Sequence, residues 1–357
     1  MRLDEAIYRF FLERRRAKFE SRAVQVEGCF VVSVGNLTSG GTGKTPMVQH
    51  LARGLQHRGA RVAVVARGWG GTLSAKGAVV SDGEAVFCDA RQAGDEAVLH
   101  ARSLPGVGVV IGRDRVAATQ RAVRELGCDA VVLDDSFQFW SLQRDLDLVL
   151  LDARRPFGNG HLLPRGRLRE PVEALKRADI LVLTRRDLAS SEQLARNRVL
   201  VSRHTTAPLY VSNHVPTGLR DEANGKIFGL ERLRDSSAGV LSAIADNKGF
   251  SASLHRLGAR IVATSAHFDH HHWRENEVRQ FALQAHAKGA LALITTEKDA
   301  VKLSAAWCAP LPLWSLVIEV EVEEDELLWA QIDAVFENGK RKVKEPEGYN
   351  LQNPERE

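Results

Sequence analysis

The chain predicts an α/β fold: a mostly parallel sheet with helices on both faces, followed by a second, smaller α/β domain. Three observations carry this. Short β-branched runs alternate with helical patterns along most of the 357 residues. Several runs lack polar alternation, as strands covered on both faces do. One junction between such a run and a helix reads Gly40-Gly41-Thr42-Gly43-Lys44-Thr45, and a glycine-rich turn between strand and helix is a phosphate cradle.

Residues 1–22 read as an amphipathic N-terminal helix. Leu3, Ile7, Phe10 and Phe11 fall at helical spacing, and Arg14, Arg15, Arg16 and Lys18 follow them. Two readings stay open: a helix lying on anionic lipid, or a helix packed on its own domain with a solvated basic face. Residues 23–215 form the predicted P-loop domain, with strands at 30–34, 62–66, 109–112, 130–133, 148–151 and 180–184. Strand–helix alternation there argues for parallel strands joined by right-handed crossovers. From Pro208 to Gly225 the pattern turns extended and then polar, and reads as a linker. A second set follows within residues 226–305, with strands at 239–244, 260–264 and 290–295. A helix over 324–338 is expected to rejoin the first domain. Residues 339–357 are charged, hold two prolines, and read as a disordered tail.

Composition narrows the function. Hydrophobic residues make up 44% and charged residues 26%, enough apolar content for a real core. The net charge of +4 suits an anionic substrate or membrane face and is too weak to argue for nucleic acid. The four cysteines are scattered, which excludes a disulfide frame or a cysteine zinc site. No apolar run approaches the ~18 residues of a membrane span, and charge interrupts the N-terminal segment too often for a signal peptide.

The chemistry concentrates in a few places. In the glycine loop, backbone N–H groups turn toward phosphate oxygens and the following helix adds partial positive charge. Lys44 is placed to neutralise the β/γ-phosphates of a nucleotide, and the Thr45 hydroxyl to ligate magnesium. The strict motif wants glycine where Thr38 stands. Asp134 and Asp135 close a strand, the position that holds magnesium beside such a loop. Asp95, in Gly94-Asp95-Glu96, taken alone reads as a helix cap. Arg113 and Arg115 follow a strand and could clamp phosphate, or form surface ion pairs. Arg165, Arg167 and Arg169 sit in a proline- and glycine-containing loop suited to an anionic substrate. The run His267-Phe268-Asp269-His270-His271-His272-Trp273 invites a metal reading. Adjacent residues do not easily converge on one ion and the run is read as lacking the H-x-x-x-H spacing, so a single histidine beside a carboxylate is favoured.

Taken together, these motifs resemble the tetraacyldisaccharide 4'-kinase family, the lipid A 4'-kinases of Gram-negative bacteria. The resemblance rests on Ser33–Thr38 through Thr45-Pro46, Arg67-Gly68-Trp69-Gly70-Gly71, Gly94-Asp95-Glu96, Gly112–Arg115, Asp134–Gln138 and Leu162–Glu170. In the second domain it rests on Asp269-His270-His271 and Thr295–Asp299. The set runs in family order from about residue 30 to 303, and the family shares the missing glycine at Thr38. The resemblance implies an ATP- and Mg2+-dependent kinase that phosphorylates the 4'-hydroxyl of lipid A disaccharide 1-phosphate. It implies ATP on residues 40–45, with Lys44 and Thr45 at ATP and magnesium. Asp95 is the implied base on the sugar hydroxyl, paired with His270. Asp134 and Asp135 lie around the metal, and Arg115 and Arg169 approach phosphate or substrate. The implied enzyme is a peripheral monomer on the cytoplasmic face of the inner membrane, held there by its N-terminal helix. Ser136 stands where glycine is usual, Phe139 where histidine is, Trp69 where tyrosine is, and Asp246-Asn247-Lys248 replaces Ala-Asn-Pro. Two other classes compete. A switch GTPase needs Asn/Thr-Lys-x-Asp, which Thr296–Asp299 misses by one position. A partitioning ATPase usually has a lysine where Ser39 stands.

Overall fold

The computed structural model describes residues 3–269 and 271–344. It opens with α1 (Leu3–Glu20). The first set of elements is β1 (Phe30–Asn36), α2 (Lys44–His57), β2 (Val62–Ala66), β3 (Ala78–Ser81), α3 (Ala90–Ala93), α4 (Asp95–Ser103), β4 (Gly108–Ile111) and α5 (Arg115–Leu126). It continues with β5 (Ala130–Asp134), β6 (Leu146–Asp152), β7 (Ile180–Thr184), α6 (Ser191–Ser202), β8 (Leu209–Asp221) and β9 (Ile227–Phe228). The second set is β10 (Ser237–Ser242), α7 (Asn247–Arg256), β11 (Arg260–Ala266), α8 (Glu275–Ala287), β12 (Ala292–Thr296), α9 (Glu297–Ala300), β13 (Leu313–Glu323) and α10 (Asp325–Lys344).

All these strands join one sheet, ordered β11-β10-β12-β13-β8-β7-β6-β1-β5-β2-β4-β3, with β9 on β8. The central strands β8-β7-β6-β1-β5-β2-β4 are parallel. Apart from β8, they are buried on both faces, which explains their largely apolar sequences. On one face Val34 and Val64 pack with Met47 and Leu51 of α2 and with Trp329 and Ile332 of α10. On the other, Val31, Val65 and Leu133 pack with Ala118 and Ala122 of α5.

The way the two sets join creates a cleft. Only Leu209–Val211 of β8 pair with β7. The strand then runs on and pairs along its length with β13, antiparallel, from Val211↔Glu323 to Asp221↔Trp314. Strand β12 pairs with the far end of this ribbon, at Leu313–Leu316. A strand advances about 3.3 Å per residue, so β8 carries the second set roughly 30 Å beyond the first. Strands β10, β11 and β12 run parallel to β13, so their carboxyl ends point back toward the carboxyl ends of the first set.

The segment expected as a linker is therefore strand β8, and its polar residues lie on a ribbon half-covered at the junction. The predicted strands in both sets are present: β1, β5, β6 and β11 run longer than expected, β2 and β7 match, β4 and β10 are shifted toward the N-terminus, and β12 begins later. Of the tail expected over residues 339–357, the part to Lys344 is helical, because α10 continues there; residues 345–357 lie outside the described residues. Helix α10 is tied to α2 by three contacts. Arg58 lies 3.9 Å over the Trp329 ring, Arg58 Nε donates to Asp333 at 2.6 Å, and His50 meets Asp325 at 2.9 Å. Trp329→Ala is expected to cost about 3 kcal/mol of stability, the usual range for emptying a buried aromatic site. Urea unfolding followed by circular dichroism measures it.

Helix α1 docks through one face only. Glu5 is buried and meets His161 Nδ1 at 2.9 Å, and the Tyr8 hydroxyl donates to the Arg169 carbonyl at 2.9 Å. Ile7, Phe10 and Phe11 remain 48%, 53% and 65% exposed. The helix is thus anchored to the first set and still presents an apolar stripe to solvent. No helix among the described residues is long and apolar enough to cross a membrane.

Candidate active site

The carboxyl ends of β1, β2, β4, β5, β6 and β7 converge on one edge, where ligands of open α/β sheets bind. The turn after β1 is the glycine loop, and local chemistry fixes its shape. Asn36 Nδ2 donates to the Thr38 carbonyl at 2.7 Å and to Thr42 Oγ1 at 2.9 Å. Thr184 Oγ1, at the end of β7, donates to the Thr42 carbonyl at 2.9 Å. Thr38 bridges to Leu168, and the Ser39 N–H donates to the Arg167 carbonyl at 2.7 Å. Thr38 is thus in extended pairing, which has no need of glycine. The left-handed turn comes at Gly43 (φ 82°), directly before α2. A Cβ at Gly43 would run into the His214 ring, so only glycine fits there.

His214, on β8, was not marked by the sequence. Its Nε2 has no hydrogen-bond partner among the described residues. Burial, helped by the positive charge of Arg185, pulls its pKa down to about 4. The folded value lies below the ordinary 6.5, so only the unfolded chain takes up this proton as pH falls through 6.5. Stability from the neutral ring is full above pH 6.5 and declines as pH falls toward 4. The gap is worth at most about 3 kcal/mol. Wild type is expected to lose on the order of that much more stability than His214→Gln between pH 7 and pH 4. Urea titrations at several pH values read this directly.

Lys44 begins α2, and its Nζ lies 3.7 Å from Asp135 Oδ1. The same oxygen accepts from Arg169 Nη1 at 2.7 Å. Asp135 therefore joins the loop lysine to the arginine loop, and with φ 50° it takes the left-handed corner of its turn. Ser136 stands beside that corner, and its Oγ donates to the Asp134 carbonyl at 3.1 Å, so glycine is not required. Asp134 is buried. Burial acts to raise its carboxyl, but the His100 hydrogen bond (3.2 Å) and the charges of Lys44 and Arg115 outweigh it and hold it below the usual range. Asp134 Oδ1 has no partner among the described residues. A buried and unshared oxygen of a carboxylate that feels the Lys44 charge suits a hard divalent cation or its water shell. Asp135, held by two cations, is the weaker candidate of the pair.

Asp95 is the first residue of α4. Gly94 precedes it at φ 87°, with the Trp69 carbonyl where a Cβ would project. Asp95 is buried at the wall of a cavity of about 1000 Å³, also lined by Arg67, Trp69, Arg113, Trp273 and Lys302. Lys298, just after β12 in the second set, reaches across the cleft to Asp95 (4.0 Å), Glu96 (3.9 Å) and Asp269 (3.1 Å). Burial works to lower the Lys298 pKa, but these three carboxylates more than offset it and raise it. The partner expected for Asp95, His270, lies outside the described residues.

Arg115 is placed differently from the expectation. It is 4% exposed, donates to the Gly112 carbonyl at 2.8 Å, and does not line the cavity. Burial lowers its pKa to about 10, against the pull of Asp134. It braces the β4–α5 turn, whereas Arg113 and Arg67 face the cavity. The histidine run also differs. His267 and His271 stack at 4.1 Å, and Glu277 joins them. They have the H-x-x-x-H separation that the sequence reading took to be absent, and the structure corrects it. Trp69 is exposed at the cavity mouth.

Known proteins resemble this chain along most of its length. The family model described as tetraacyldisaccharide-1-P 4'-kinase matches residues 2–337. A tetraacyldisaccharide 4'-kinase of Anaeromyxobacter sp. (strain K) is 42% identical over 339 residues, covering 94% of this chain and 89% of that one. One from Geobacter sulfurreducens is 43% identical over 306 residues, covering 86% and 84%. The crystal structure of the "apo" form of LpxK from Aquifex aeolicus in complex with ATP matches with a TM-score of 0.76 at 27% identity, covering 93% of this chain and 97% of that one. The chain belongs to the tetraacyldisaccharide 4'-kinase family.

Proposed function

We propose that the protein transfers the γ-phosphoryl group of ATP to the 4'-hydroxyl of tetraacyldisaccharide 1-phosphate. The observation that carries this reading is the cleft itself. The glycine loop with Lys44 stands on one wall, and Asp95 lines a cavity wide enough for a sugar headgroup. Residues 40–45 hold the nucleotide phosphates through backbone N–H groups and the α2 N-terminus. Lys44 leaves Asp135 for the β/γ-phosphates and neutralises them. Thr45 and Asp134 would hold magnesium, which supplies charge neutralisation on phosphate oxygens. Asp95 accepts the proton of the attacking sugar hydroxyl. Arg67 and Arg113 attract the anionic headgroup into the cavity. Incubation with ATP and lipid A disaccharide 1-phosphate, read by product mass, tests the reaction. An unphosphorylated lipid at saturating ATP would overturn it.

The lipid substrate must reach the cleft from a bilayer, and α1 supplies the contact. Residues 1–18 carry six Lys/Arg and three Asp/Glu beside the exposed Ile7, Phe10 and Phe11. Each cation near an anionic surface contributes about 1 kcal/mol. Deleting residues 1–18 is expected to weaken co-sedimentation with anionic vesicles while ATP affinity changes less. Salt is expected to release the intact protein, since surface attractions are screened beyond ~10 Å at 0.1 M. Unchanged co-sedimentation would place the membrane contact elsewhere.

A further inference from the structure

We infer that His267, His271 and Glu277 form a binding site for a divalent transition metal, distinct from the magnesium of phosphoryl transfer. Two imidazole Nε2 atoms converge on one carboxylate. His271 Nε2 lies 3.0 and 3.2 Å from the two Glu277 oxygens, and His267 Nε2 lies 3.1 Å from Oε1. One ligand atom from each of the three residues lies within 4.8 Å of the others. Two ligand atoms bound to one tetrahedral zinc at ~2.0–2.1 Å are about 3.3 Å apart. The nitrogen–carboxylate spacings lie a few tenths of an ångström short of that, and the stacked rings, 13° from parallel, would tilt apart for both Nε2 atoms to face one ion.

The surroundings hold this arrangement. The two rings stack with 13° between their planes, and Trp273 abuts both edge-on at 5.0 Å. Trp273 is itself buried and its Nε1 donates to Asp299 at 3.5 Å. Glu277 sits in the first turn of α8, where the Arg274 N–H donates to it at 3.4 Å. Ser265 Oγ lies 3.1 Å from His267 Nε2. All three ligand residues are partly exposed and line a cavity of about 640 Å³, which leaves a fourth coordination position to water. Two imidazoles and one carboxylate select zinc, cobalt or nickel over magnesium, whose preferred ligands are oxygens.

The site has a structural consequence. Asp269 lies between the two histidines in sequence and receives Lys298, which also faces Asp95. An ion on His267 and His271 would pin both ends of that segment and so fix one of the three carboxylates around Lys298.

The test is metal binding by the full chain without a histidine tag, stripped with chelator and titrated with Zn2+ against a chromophoric indicator. One Zn2+ per chain is expected, undisplaced by millimolar Mg2+. His271→Ala and Glu277→Gln are each expected to weaken binding at least tenfold, while His57→Ala, an exposed histidine elsewhere, leaves it unchanged. Zn2+ is expected to raise the melting temperature of wild type more than that of either variant. Circular dichroism establishes that the variants are folded, and Glu277→Gln preserves the size of the side chain should His271→Ala not fold. Absence of stoichiometric binding, or binding that survives both substitutions, overturns the site. Neither readout depends on kinase activity, so failure of the assigned reaction and failure of this site remain distinguishable.

Discussion

Lys44→Ala is expected to lower kcat on the order of 10³-fold while leaving the fold intact. The fold expectation follows from position. Lys44 is partly exposed at the start of α2, it fills no core space, and alanine is a good helix former. The rate expectation follows from the reaction. Phosphoryl transfer asks the protein mainly to position groups and to neutralise charge on the phosphate oxygens. Removing a preorganised contact to developing charge commonly costs 10²–10³-fold, and a charged donor in a narrow cleft stands at the upper end. The structure adds a second effect. Lys44 and Arg169 share Asp135 Oδ1, so without the lysine Asp135 keeps Arg169 alone. Lys44→Arg is expected to restore the charge but little of the rate, because the planar guanidinium cannot repeat the point contact of an ammonium. Steady-state kinetics at saturating ATP measure both variants. Near-wild-type turnover of Lys44→Ala would overturn the nucleotide-loop assignment.

Most of the fold was legible because burial on both faces leaves a plain trace. β1, β2, β5 and β7 are continuous β-branched or leucine-rich runs. β8 and β13 were not legible as strands. Their middle stretches carry Asn213, His214, Glu319 and Glu321, where the ribbon spans the junction between the two sets and is only partly covered. Polar alternation of that kind, with Pro216 within it, reads locally as a loop. Its strand character comes from the antiparallel partner, about 100 positions away, which local sequence does not contain. α10 was legible as a helix, but the charged sequence past Phe336 concealed how far it continues.

The site divides the same way. The glycine loop and Asp134 were legible because their chemistry is local: a turn, a helix start, a strand end. Lys298 and His214 act through partners in distant segments, so no short pattern marks their roles. Arg115 shows the converse. Two arginines after a strand look equivalent in sequence, yet Asp114 caps α5 by accepting from the Val116 and Ala117 N–H groups. That cap fixes where the helix begins and turns Arg115 inward beneath Phe139, leaving Arg113 on the cavity side.

Asp95→Ala is expected to lose roughly 10²–10⁴-fold in kcat, the range for general acid–base help, while ATP still binds. A sugar hydroxyl is a poor nucleophile until a base within hydrogen-bond reach accepts its proton. Asp95 has the position for this: buried, at a helix start on the cavity wall, with Lys298 at 4.0 Å. His270, a neighbour of Asp269 in sequence, is the proposed second member of the unit, orienting the carboxylate and tuning its proton affinity. Asp95 begins α4 and His270 follows β11 in sequence, so a unit of the two would draw on both sets of elements. Residues acting as a unit are strongly non-additive. The double variant Asp95→Ala/His270→Ala is therefore expected to be scarcely worse than the worse single variant. A double-mutant cycle on kcat decides it: losses that multiply fully would assign the two residues independent roles. Normal kcat in His270→Ala would remove the histidine from the mechanism and leave Asp95 with Lys298 as the only charged group that reaches it from across the cleft among the described residues.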